Sequence, residues 1–254
     1  MLVRAIALAA AVAAAAAACS CSNPAWCGPI TAPPATREVL AFHVTSNGGV
    51  YVDFDWGQVT TVAAFGLPVD AALVCLAHSH GARVTIGVDF DTSQLGNSTA
   101  EAAWIAASVA DVTAGGLDGV NIDIEGYQGA SPPLVDLTAR LATAVRTAVP
   151  TGQVSFDTAI YAAATQASYN FTALAIICDF LVPMAYDMDW AAHDARANSP
   201  YDVIAVDLAQ YADVGVAPHS IVLGLPWYGY DFPCVNQPVA PNYTCTSASG
   251  FGPN

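Results

Sequence analysis

The sequence predicts an α/β chain of βα units around a parallel sheet and, within that class, a (β/α)8 barrel. Three observations carry this. Short β-branched runs recur along the 254 residues, at a spacing of roughly 30 residues that parallel crossovers need. An open doubly wound sheet fits the same alternation, but no Gly-rich phosphate loop follows the first run, as its nucleotide-binding form needs. Third, Glu125 and Tyr186-Asp187 fall at C-terminal ends of such runs, where barrels carry their chemistry.

Taken in order, the chain opens with a secretory-signal pattern over residues 1–18. Arg4 supplies the positive start, Ala5 to Ala18 is apolar but too short to span a bilayer, and Ala16-x-Ala18 forms a cleavage site before Cys19. Lipid attachment at Cys19 is the weaker reading, because the residues before it are all Ala. Residues 19–37 are Cys-, Pro- and Ala-rich and read as irregular. Seven strands are expected: Val39–Val44, Thr60–Phe65, Arg83–Val88, Val120–Glu125, Val154–Ile160, Phe180–Tyr186 and Ile221–Trp227. Ala102, Ile105, Ala106, Val109 and Val112 fall at helical spacing after a Thr99 cap. Leu134, Leu137, Leu141 and Val145 form a second apolar stripe, entered through Pro132-Pro133 and stopped by Pro150. Ile204, Leu208 and Tyr211 suggest a third helix.

With six Lys+Arg and a formal net charge of −15, the chain has no basic patch for a phosphate backbone, which excludes nucleic-acid binding. No other long apolar run follows the leader, so no membrane partner is expected; the mature protein is expected to be monomeric. Seven cysteines behind a signal read as disulfide partners, with one thiol left over. His78-Ser79-His80 reads as an ordinary loop, and no metal or cofactor is called for. Sequons at Asn97, Asn170 and Asn242 add to a secretory reading.

The most informative stretch is Gly116-Leu117-Asp118-Gly119-Val120-Asn121-Ile122-Asp123-Ile124-Glu125. Val120, Ile122 and Ile124 share one parity; Asn121, Asp123 and Glu125 share the other, so a strand presents three polar groups on one face. Two close carboxyls cannot both ionise cheaply, so one is pushed up. A solvated edge strand gives the same pattern, but these acids sit in a chain only 11% charged, punctuated as a buried parallel strand.

Asp118 to Glu125 resembles the D-G-x-D-x-D-x-E strand of family 18 glycoside hydrolases, the chitinase family. Met184-Ala185-Tyr186-Asp187 is similar to that family's M-x-Y-D strand. Gly224-Leu225-Pro226-Trp227-Tyr228-Gly229-Tyr230-Asp231, with Asn121 and the early Cys-x-Cys-x5-Cys, resembles its di-N-acetylchitobiase branch. The resemblance implies a retaining glycosidase acting on β-1,4-linked N-acetylglucosamine by substrate assistance, with no cofactor, in a lysosomal or extracellular setting. It makes Glu125 the general acid and base, Asp123 the partner of the substrate acetamide N–H, and Tyr186 a donor to the acetamide oxygen. Asn121, Asp187, Met184, Trp227 and Tyr228 become substrate-binding. Asp157 lies in the fifth strand, where a structural hydrogen-bonding role and a place at the mouth stand equally.

Asn121 replaces the middle Asp of the chitinase motif and is expected to donate to Asp123. Thr85-Ile86-Gly87-Val88-Asp89 replaces the S-x-G-G signature, which points away from a long-polymer endochitinase. No eighth strand with its Trp precedes Asn254, so residues 19–254 are expected to form a catalytic barrel incomplete at the C-terminus. A non-catalytic glycan lectin on the same barrel and an endo-acting chitinase are the competing readings.

Overall fold

The computed structural model describes residues 19–44, 48–188 and 196–232. The expected signal at 1–18, Cys234, Cys245 and the Asn242 sequon lie outside the described residues.

Six parallel strands run β1 (Leu40–Val44), β2 (Thr61–Phe65), β3 (Arg83–Val88), β4 (Gly119–Ile122), β5 (Gln153–Ala159) and β6 (Phe180–Met184). Their spatial order is strictly consecutive. A doubly wound sheet reverses its order at a switch point; this one does not. The expected seventh strand is reduced to two parallel bridges on β6, Leu181 to Ile221 and Met184 to Gly224. β4 stops at Ile122 rather than Glu125 because its partner β3 ends at Val88, whose carbonyl takes a last bond from the Asp123 N–H at 2.9 Å. Asp123 and Glu125 therefore stand on an extension beyond the ladder. β6 likewise ends before Tyr186.

Helices α1 (Ala71–Ser79), α2 (Ser98–Gly115), α3 (Ser131–Ala148), α4 (Ala162–Thr165), α5 (Phe171–Ile177) and α6 (Tyr201–Asp213) fill the connections. The α2 cap is Asn97, whose side chain accepts from Ala100 N, so the helix begins before Thr99. Asn170 caps α5 in the same way, so two of the sequon asparagines double as exposed helix caps. α1 escapes periodicity because Ala-Ala-Leu-Val-Cys-Leu-Ala is apolar all round. His78 and Ser79 sit in its last turn and His80 caps it, rather than forming a loop.

The core lies between sheet and helices. Val120, Ile122 and Ile124 meet Leu134, Leu137, Leu141 and Val145 of α3 in one cluster, all at most 1% exposed. Burying each such side chain stabilises the fold by about 1.5–3 kcal/mol. Gly119 is required where β4 starts: its φ is +148°, and a Cβ would lie 1.9 Å from the Gln153 carbonyl oxygen.

The N-terminal segment is a strap across the strands' N-terminal ends. Cys21–Cys75 ties it to α1, and Cys19–Cys27 closes a loop within it. The Cys178 thiol is buried and, among the described residues, unpaired. Arg83 donates to the Ala32 and Thr151 carbonyls, and Thr151 Oγ1 donates to Ile30 O at 2.8 Å. Asp118, fully buried, accepts from Ile30 N at 2.6 Å, Val84 N at 2.7 Å and His78 Nε2 at 2.8 Å. His78 Nδ1 meets the Trp26 carbonyl at 2.8 Å. Both ring nitrogens face oxygen acceptors, an arrangement that the doubly protonated ring satisfies at both ends. No helix among the described residues is long and apolar enough to cross a membrane.

Burial alone would lower the His78 pKa, but the Asp118 hydrogen bond and charge, with the Trp26 carbonyl, raise it despite Arg83. A raised folded-state pKa stabilises fully below the unfolded value of about 6.5 and loses that contribution as pH rises through the folded value. We expect His78→Gln to cost about 3 kcal/mol near pH 5 and less near pH 9. Denaturant midpoints of both proteins at the two pH values check this; an equal gap at both contradicts it.

Candidate active site

The inner face of β4 is graded. Asn121 is fully buried, Asp123 half-buried and Glu125 exposed. Period-two alternation puts all three on one side, while Val120, Ile122 and Ile124 point into the helix layer. Immediately after Glu125 the chain turns at Gly126, where φ is +66°. Tyr169 fixes this turn: its hydroxyl donates to Ile124 O at 3.1 Å and accepts from Tyr127 N at 2.9 Å. One buried phenol thus brackets Glu125. No local pattern in the sequence announces this residue, because the contact spans more than 40 positions.

β5 lies beside β4 with Ser155 opposite Asn121. Asn121 Nδ2 donates to Ser155 Oγ at 2.9 Å and to Asp157 Oδ1 at 2.8 Å. Both amide hydrogens are spent there, so Asn121 does not donate to Asp123 as expected from the sequence. Asn121 Oδ1 and Asp123 Oδ1 are buried and without hydrogen-bond partners among the described residues.

Burial, then the charges of Glu125 and Asp89, push the Asp123 carboxyl up to about 6. Asp123 is thus the carboxyl of the motif that burial drives toward its neutral form. Asp157, also buried, is held well above the ordinary carboxyl range by desolvation; the Asn121 bond opposes this, and Asp123 and Glu125 add to it. Tyr186 is pushed up chiefly by burial, then by Asp157, Asp123, Glu125 and Asp187. These shared influences put Asp123, Glu125, Asp157 and Tyr186 in one electrostatic neighbourhood. Among the described residues, neither the Tyr186 hydroxyl nor the Glu125 carboxyl has a hydrogen-bond partner.

Beyond β6 a second network forms. Asp187 adopts φ +57°, unusual for a side chain with a Cβ. Its N–H donates to Asn198 Oδ1 at 2.6 Å, and Asn198 Nδ2 reaches Tyr228 O at 3.2 Å. Asp187 Oδ1 accepts from the hydroxyls of Tyr228, at 2.6 Å, and Tyr230. The Tyr228 ring lies 6.3 Å from that of Tyr186, edge to face. Asp187 and Tyr228 are therefore joined directly, with Asn198 and Tyr230 completing the network. Met184, half-buried, pairs with Ala159 at the end of β5. Trp227 is 93% exposed and makes no ring contact with the other aromatics described.

The arrangement offers one exposed carboxyl for proton transfer, one half-buried carboxyl beside it and an unpartnered phenol across from them. That suits attack at a neutral, hydrogen-bonding substrate. A separate hollow lies beside Trp56, His80 and Arg83 at the strands' N-terminal ends.

Residues 85–252 match the family profile described as glycosyl hydrolases family 18. Di-N-acetylchitobiase of Mus musculus is 38% identical over 223 residues, 85% of this chain and 60% of that protein. The Homo sapiens di-N-acetylchitobiase is 34% identical over 234 residues, 89% of this chain and 59% of that protein. The chain thus spans about 60% of the length of these relatives. Among solved structures, the Ostrinia furnacalis Group IV chitinase superposes with a TM-score of 0.68 at 15% identity, covering 84% of this chain and 72% of that one. Catalytic domain 2 of the Ostrinia furnacalis Group II chitinase, solved with a bound chito-oligosaccharide, gives 0.66 at 18% identity, covering 84% and 70%. Those likenesses establish a chitinase-like barrel fold.

We expect Tyr169→Phe to speed hydrogen exchange at the Tyr127 amide by roughly tenfold while the Val120 and Ile122 amides hold. Equal acceleration at all three amides would mean that Tyr169 acts only through global stability.

Proposed function

The chain belongs to glycosyl hydrolase family 18, and on that premise we propose that it is a retaining glycosidase that hydrolyses β-1,4 bonds between N-acetylglucosamine residues by substrate-assisted catalysis. The observation that carries this is the Asp123, Glu125 and Tyr186 grouping at the C-terminal mouth of the sheet, with Glu125 exposed and Tyr186 unpartnered. Relatives bearing the name di-N-acetylchitobiase support chitobiose as the substrate.

In this reading the sugar's acetamide oxygen attacks its own anomeric carbon as the glycosidic C–O bond breaks. Glu125 delivers its proton to the leaving oxygen, giving an oxazolinium ion and a Glu125 carboxylate. Tyr186 donates to the acetamide oxygen and aims it. Asp123 accepts the acetamide N–H, and the positive charge that builds beside it favours its ionised form. Water then attacks the anomeric carbon and gives a proton to Glu125 while the oxazolinium ring opens, so configuration is retained. Tyr228 and Trp227 offer aromatic faces to sugar, and Met184 lines the barrel beneath. Asp187 ties Tyr228 into the mouth. Residues 19–254 serve as the catalytic unit, and the 1–18 leader, the disulfides and the sequons support a secretory route, lysosomal or extracellular.

Release of N-acetylglucosamine from di-N-acetylchitobiose tests the reading. We expect Glu125→Gln to lower kcat by about 100- to 10,000-fold with the melting temperature unchanged. Tyr186→Phe lowers kcat more than it changes KM. Equal sugar binding by wild type and Glu125→Gln, with hydrolysis by neither, would instead make the protein a lectin.

A further inference from the structure

We propose that Asp157 is a positioning residue of this reaction: with Ser155 it holds both amide hydrogens of Asn121, so that the amide shows only its acceptor oxygen on the strand face it shares with Asp123. The inference rests on the glycosidase reading above and adds a residue to it.

A primary amide can turn either end to a neighbour. The Asn121 amide is fully buried and has no water to decide the matter. Asp157 Oδ1 at 2.8 Å and Ser155 Oγ at 2.9 Å take its two hydrogens, one each. What remains is Asn121 Oδ1, buried and unpartnered, and Asp123 Oδ1 is in the same condition. The two residues follow each other on one strand face, roughly 7 Å apart along the chain. Two buried acceptors so placed disfavour a charge on either of them. An amide turned the other way offers an N–H and favours the carboxylate. Asp157 and Ser155 select the first state.

The remaining groups around Asp123 point the same way. Asp89 follows β3, Glu125 follows β4, Asp157 stands on β5, Tyr169 precedes α5 and Tyr186 follows β6; none of these is a cation. Burial raises the Asp157 carboxyl well above the ordinary carboxyl range, against the Asn121 hydrogen bond. Its hold on the Asn121 amide, separable from any direct charge effect in an Asn121→Leu background, is what acts on Asp123. Since the reaction needs Asp123 as a carboxylate against the oxazolinium, the titration midpoint of Asp123 sets the acid side of the kcat/KM profile.

The test is a carbon-13 NMR titration of the Asp123 carboxyl in the full chain, assigned with Asp123→Asn, alongside kcat/KM against pH. We expect Asp157→Leu to free an amide N–H and lower the Asp123 midpoint by about one pH unit, a tenfold change in proton affinity, with the acid limb of kcat/KM following. Ser155→Ala moves it the same way by less. In an Asn121→Leu background, Asp157→Leu leaves the midpoint where it is. A folded Asp157→Leu protein with an unmoved midpoint overturns the proposal. So does an equal shift without Asn121, which makes the effect direct. The titration needs no turnover, so absent hydrolysis by wild type counts against the glycosidase reading and is read separately.

Discussion

β4 is bonded on both sides by parallel strands and packed against α3, so it has one register and one facing. A slip by one residue would turn Val120, Ile122 and Ile124 into the barrel interior and bury three polar side chains against leucine. Hydrophobic burial on one face is therefore what aims Asn121, Asp123 and Glu125 on the other. The site is a by-product of a packing constraint, and its geometry is as well determined as the core beneath it.

The two ends of this strand do opposite work. At its start, buried Asp118 gathers His78, Ile30 and Val84 into a closed clasp beneath the strap. At its far end the ladder has run out, burial falls and the carboxyls emerge. Asp118 and His78 at the first end are satisfied, as buried polar groups generally must be. At the second end, Asn121 Oδ1 and Asp123 Oδ1 are left unsatisfied among the described residues. These two unmet acceptors lie on the strand face that leads to the exposed Glu125.

Much of this is legible in the chain. Alternation locates β4 and its polar face, the apolar stripe of α3 marks the side it buries, and short runs at wide spacing imply the parallel sheet. α1 is not legible because a helix apolar all round has no period to read. The Ile221–Trp227 run has strand-like residues but only two bridges, since ladder formation depends on neighbours that composition does not reveal. Around the end of β4, Asp123, Glu125 and Tyr186 share one electrostatic neighbourhood, and Asp187 bonds Tyr228 beside Tyr186. The direction of the Asn121 amide runs against the sequence expectation, because it is decided by Ser155 and Asp157, more than 30 residues away. Tyr169 and Asn198 carry no signal at all, being contacts made only by tertiary folding.

In the proposed mechanism the substrate's own acetamide, held by Asp123 and Tyr186, serves as the nucleophile. The most direct measurement is proton NMR of the anomeric signal during the first minutes of chitobiose cleavage, before mutarotation. Substrate assistance predicts an initial excess of β-anomer over the anomeric mixture already carried by the substrate's own reducing end, which then equilibrates. An initial α excess over that mixture would mean that water attacks directly from the opposite face, and would contradict the roles of Asp123 and Tyr186 as partners of the acetamide.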